Sequence, residues 1–232
     1  MTPASPAPLP SPAPPPSPGT QDDRTALLAL LRDPRAAAAA GAKPGGSTPR
    51  ALIERLERER PADLRRDASL LQGVWELRWS SSSLPYLAVA PWLENLQLLD
   101  PSRGRGMNLL RLSGPLGPLA GVAVQAAVAI EPVAAADPCQ RVSVQFERGG
   151  WLGPRVGEGR LQWLREVRQS FPAWLDITVL DQELRVCRGN AGTLFALLRR
   201  PDLRLEDWLP SGGGADSPGP PGPPAPLAPG AG

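Results

Sequence analysis

Apolar residues follow two different periods along this chain. In "DDRTALLALLRD" Leu27, Leu28, Leu30 and Leu31 form one helical stripe behind an acidic start. "TPRALIERLERERP" places Leu52, Ile53 and Leu56 on one face, with Thr48 as N-cap, Pro49 in the first turn and Pro61 as the stop. "AAAAAGAKPGGS" joins these two short helices. After Leu70 the period falls to two. "GVWELRWSS" sets Trp75, Leu77 and Trp79 against Glu76, Arg78 and Ser80. "VAVQAAVAI" puts Val122, Val124, Val128 and Ile130 opposite Gln125, and "RVSVQFE" puts Val142, Val144 and Phe146 opposite Arg141, Ser143 and Gln145. Further strands are expected near 93–99, 107–113, 156–167, 174–180, 184–188 and 193–199, separated by Gly, Pro, Asp and Ser. About nine short strands with no helical pattern between them predict a mainly β fold, an antiparallel meander closing into a barrel. A barrel of about eight strands has room for one small ligand.

Composition sets the limits of the folded part. Residues 1–21 and 211–232 are rich in proline and glycine and cannot bury enough apolar surface to offset ordering entropy, so both are expected to be disordered tails. Between them the pattern divides into a helical segment, 22–66, and a barrel, 67–210. No basic start with an apolar run marks a signal peptide, arginine is too sparse at the N-terminus for a transit peptide, and no stretch reads as a membrane-spanning helix. The net charge is +2. Glutamates interleave with the arginines of "IERLERERP", which argues against a nucleic-acid face. Histidine is absent, which removes Ser-His-Asp and Cys-His catalysis and every histidine metal site. The two cysteines, Cys139 and Cys187, are too few for a four-cysteine zinc site and are expected as free, buried thiols. No metal site and no cofactor motif is read.

Gly73-Val74-Trp75 at the start of the first strand resembles the lipocalin G-x-W pattern, whose tryptophan seals one barrel end under an arginine from the last strands. Arg185, Arg188 and Arg199 are the candidates for that arginine. "LLQGVWELRWSSS" and "WLDITVLDQELRVCRGNAGTLFALLRR" together resemble the plastid lipid-associated protein family, the fibrillins. The match runs through Leu71, Gly73, Trp75, Leu77 and Ser80–Ser82, then Leu180, Asp181, Leu184, Arg185, Arg188, Gly189, Gly192, Phe195 and Leu197. Asn190 stands where that family usually has Asp. The resemblance implies a lipocalin-like barrel that holds or coats lipophilic molecules, peripheral to thylakoids or lipid globules; the lack of a transit peptide points to the cytoplasmic side in a photosynthetic bacterium.

The late motif has two readings: a structural lock on the last hairpin, or recognition of a ligand's polar head. Gly189 and Gly192 would permit a tight turn, and Asp181 would pair with Arg185 or Arg188. Trp75, Trp79, Trp163 and Trp174 suit either an apolar pocket or plain core. "PYLAVAPWLENL" carries Tyr86 and Trp92 and suits either a membrane-dipping loop or a lid. The candidate ligand-binding set is Trp75, Trp79, Ser82, Tyr86, Trp92, Arg188 and Phe195; the structural set is Gly73, Asp181, Arg185, Gly189 and Gly192. The function expected is non-catalytic binding or surface association with a carotenoid, quinone or other prenyl lipid. A protein-interaction scaffold with a filled barrel is the first alternative, and a cofactor-independent enzyme using Asp176, Asp181 or Glu183 is the second.

Overall fold

The computed structural model describes residues 17–33, 48–82, 89–90, 92–117, 119, 121–134, 137–157, 159–169 and 171–209. The expected tails beyond these limits, and Tyr86, lie outside the described residues. Three helices precede the strands. Helix α1 spans Pro18–Arg32 and begins before the expected Asp22, because Ser17 caps it, accepting a hydrogen bond from the Thr20 amide at 3.2 Å, and Pro18 occupies its first turn. Helix α2, Pro49–Glu59, has the expected cap, with Thr48 Oγ1 accepting from the Ala51 amide. Helix α3, Leu64–Leu71, has no counterpart in the sequence pattern. It is only 8 residues long and buries only Leu64 and Leu71, too few apolar positions to show a period.

Nine strands follow: β1 Gly73–Ser80, β2 Leu93–Asp100, β3 Arg105–Leu112, β4 Gly121–Ile130, β5 Arg141–Val156, β6 Gly159–Glu166, β7 Ala173–Leu180, β8 Leu184–Gly189 and β9 Leu194–Arg199. Their order is β4-β3-β2-β1-β9-β8-β7-β5-β6, and a further β4–β5 pairing closes eight of them into an antiparallel barrel. Only β6 stays outside the closure. It pairs with the second half of β5, while β7 pairs with the first half. Closure pairs the edge of β4 with β5 and leaves the outer edge of β6 without a strand neighbour among the described residues.

Each strand face has its own cover. Inside the barrel lie Trp75, Leu77, Val128, Val142, Ile177, Cys187 and Leu197, and α3 closes one end with Leu64 and Leu71. The outer face of β7, β8 and β9 carries Val179, Leu184, Val186, Leu194 and Ala196 under the leucines of α1 and α2. A third layer sets Val74, Leu96, Leu98, Leu109 and Ala123 beneath Leu205 and Leu209, which follow β9. Both cysteines are free and buried.

The simple alternation expected for β1 breaks at Arg78. Leu77 pairs with Leu197, an inner residue, but Trp79 pairs with Ala196, an outer one. A β-bulge therefore turns Trp79 out of the barrel and onto the helix layer. The bulge is anchored from outside, because Arg78 donates to the carbonyls of Leu31 and Arg32 at the end of α1.

Candidate functional site

The closed end of the barrel is built around Trp75, which is fully buried. Its indole N–H donates to the Leu71 carbonyl at 3.0 Å, tying the plug helix to the first strand. Two arginines flank the ring: the Arg199 guanidinium lies 4.3 Å from the ring centroid and that of Arg185 lies 5.2 Å away. Arg199 also donates to the carbonyls of Gln182, Gln72 and Leu70. Gly73 leaves space for it. A Cβ there would sit 2.5 Å from Arg199 Nη1, and its φ of +136° disfavours any other residue. Arg188, the third candidate for the tryptophan, faces the other way and forms a bidentate pair with Glu57 on α2, with Nε 2.9 Å from Oε1.

Above this end is an open cavity of about 420 Å³. Leu99, Ala126, Val128, Val144, Phe146, Trp174, Leu175 and Phe195 give it an apolar wall; Gln97, Asn108 and Thr193 supply its polar groups, and Phe171, Asn190 and Ala191 stand at its rim. The volume lies inside the range of about 300–1,000 Å³ typical of small-molecule sites. The strands place these groups by alternation. Gln97 pairs with both Trp75 and Asn108 and shares their inward face. On β8 the inward positions are Arg185, Cys187 and Gly189, and Gly189 gives the Phe195 ring its place: a Cβ there would lie 3.2 Å from it. Of the two turn glycines only Gly192 takes a positive φ, at +73°.

Asn190 fixes the β8–β9 turn at the cavity rim. Its side chain accepts from the Trp174 amide at 2.8 Å and donates to the Pro172 carbonyl at 2.6 Å. An aspartate there could only accept.

Arg185 is 0% exposed. Its Nη2 donates to Gln97 Oε1, while Nε and Nη1 have no partner, and no described carboxylate forms an ion pair with it. Burial pushes the guanidinium down to about 10, and the nearby Arg199 charge acts in the same direction, so Arg185 stays cationic at neutral pH. Burial pushes the neighbouring Cys187 thiol up to about 11, so it supplies no counter-charge.

Asp181 was expected to pair with Arg185 or Arg188. It pairs instead with Arg24 of α1, at 2.7 and 3.1 Å, because β7 delivers it to the helix-covered side of the β7–β8 turn. Its Oδ1 also accepts from the Glu183 and Leu184 amides. Burial raises its proton affinity, but Arg24 and these two amides outweigh burial and hold the carboxyl below its usual range.

The other candidates are dispersed. Phe195 and Gly189 line the cavity, and Trp75 lies beneath it. Trp79 is under the helices, and Ser82 follows β1, its amide donating to Ser80 Oγ. Trp92 is exposed just before β2. Sequence reasoning missed Gln97, Leu99, Asn108 and Phe171. In "LENLQLLD" the apolar residues flanking Gln97 suggest an outward glutamine, but Leu96 and Leu98 are the outward residues, covered by Leu205 and Leu209.

Beyond the cavity the inward face of β4 continues into the open. Val122, Trp151 and Trp163 lie opposite one another across β4, β5 and β6 and are 58%, 39% and 65% exposed. The Arg165 guanidinium lies over the Trp163 ring at 4.6 Å.

The PAP_fibrillin family model matches residues 47–198, more than half of the chain, and thus takes in α2, α3 and nearly all of the barrel. No curated protein and no solved structure matches the chain. The Trp75 closure, the Arg-Gly turn over Phe195 and this match agree, and the chain belongs to the PAP_fibrillin family.

Proposed function

We propose that this protein binds one lipophilic molecule, such as a carotenoid end, a quinone or another prenyl lipid, in its barrel and works without catalysis at a lipid surface. The observation that carries this reading is the open, apolar-walled cavity of about 420 Å³. Apolar surface transferred there from water contributes about 25 cal/mol per Å². Family membership and barrel fold both suit a lipid-associated protein. The exposed row of Val122, Trp151 and Trp163 supports contact with a lipid surface, where tryptophan is favoured at the headgroup level. No described helix is long and apolar enough to cross a membrane, which suits peripheral attachment to a thylakoid or a lipid globule. The acidic residues available for catalysis are engaged elsewhere: Asp176 pairs with Arg141, Asp181 with Arg24 and Glu183 with Arg32, and none of them lines the cavity.

The test is uptake of N-phenyl-1-naphthylamine, which brightens in apolar surroundings. The wild-type chain is expected to take up the dye saturably. Ala126→Trp, which fills the cavity wall, should abolish uptake with an unchanged circular dichroism spectrum. No uptake by folded wild type, or equal uptake by both, would contradict the reading and favour the scaffold.

A further inference from the structure

Arg185 is a fully buried cation with two unpartnered nitrogens. A cation taken out of water is destabilised unless a counter-charge and hydrogen bonds compensate it. Its compensation here is incomplete: one hydrogen bond to Gln97 and a cation–π contact with Trp75, with two guanidinium nitrogens unpartnered. Sealing the barrel does not account for it. Arg199 already lies closer to the Trp75 ring and already satisfies three carbonyls there.

Its position relates it to the cavity. Gln97, the residue that holds Arg185 Nη2, is itself a wall residue of the cavity. Along β8 the same inward face runs from Gly189, at the cavity, through Cys187 to Arg185. The guanidinium thus lies against a wall residue of an apolar chamber.

We propose that the cavity takes a lipophile with an acidic head. The carboxylate accepts hydrogen bonds from the free Arg185 nitrogens and from the Gln97 amide, and the apolar tail runs past Phe195 and Phe146 towards the rim. This rests on the binding reading above and adds a ligand class to it. A planar carboxylate matches the guanidinium fork, and such charge-assisted bonds strengthen away from water. The ligand supplies the counter-charge that the fold omits.

The experiment compares cis-parinaric acid with its methyl ester, both fluorescent when bound, on the full chain at pH 7.5. The acid is expected to bind roughly ten- to a hundredfold tighter than the ester, as charged hydrogen bonds in a dry site require. Arg185→Met should lose this preference and keep ester binding. Gln97→Leu removes one of the proposed donors and should narrow the acid preference while keeping ester binding; an undiminished preference there would count against the proposal, which covers the case in which the arginine variant does not fold. Equal binding of acid and ester by wild type, or a preserved preference in folded Arg185→Met, would overturn the proposal and leave the cavity reading standing. Binding of neither probe would overturn both.

Discussion

Arg185 and Arg188 are three residues apart on one strand and serve opposite sides of the wall. Alternation sends Arg185 inward, to Trp75 and Gln97, and Arg188 outward, to Glu57. Asp181, which opens the same motif, serves neither and holds α1 through Arg24. This has a testable pH signature. The carboxyl of Asp181 is held below its usual range in the fold, so its contribution is fully present above the unfolded value of about 3.9 and is lost as pH falls through the folded value. Asp181→Asn is expected to lower stability by about 1.5–3 kcal/mol at pH 7, and the gap to wild type should narrow only below about pH 4. Urea unfolding at pH 7 and pH 3 measures both. A gap that persists undiminished at pH 3 would contradict the ion-pair assignment. The motif residues were legible in the sequence as a set, but their partners were not, because those partners lie on helices about 130 to 160 positions away.

At the scale of elements, period and punctuation located the strands well and failed where the fold bends. The bulge at Arg78 moves Trp79 to the outer face, and period alone cannot see an inserted residue. In "RGGWLGPRV" the glycines and proline read as a loop, yet β5 runs through them to Val156. There a register shift between Leu152 and Arg155 absorbs the irregularity, and a Cβ at Gly150 would run into the Trp163 carbonyl of β6. Helix α3 escaped notice because its role is to plug the barrel end with two leucines rather than to cover a wide face. Helix α2 is docked by leucines and by the Arg188–Glu57 pair. A double-mutant cycle on Arg188→Ala and Glu57→Ala should give a coupling of roughly 0.2–1 kcal/mol, since the arginine is partly exposed. A coupling of zero would leave the docking to the apolar face of α2 and to its Arg55–Asp23 pair with α1.

For the whole molecule, barrel closure and the cavity it encloses follow from strand number, which the sequence pattern made visible. The interior itself was less legible. Each face of β2 mixes leucines with polar residues, Asn95 and Gln97 on the inner one and Glu94 and Asp100 on the outer, so Gln97 could not be told from a surface residue. Trp75, Gly73 and Phe195 were recognisable because their reasons are local to a strand start and a turn. The central claim is that the barrel carries a lipophile. Its most direct test is organic extraction and mass spectrometry of the full chain purified from a pigment-making host, beside Ala126→Trp prepared in the same way. The account predicts near-stoichiometric apolar ligand in the wild type and none in the filled variant. A folded wild type that extracts empty, or a filled variant that retains the same ligand, would contradict it.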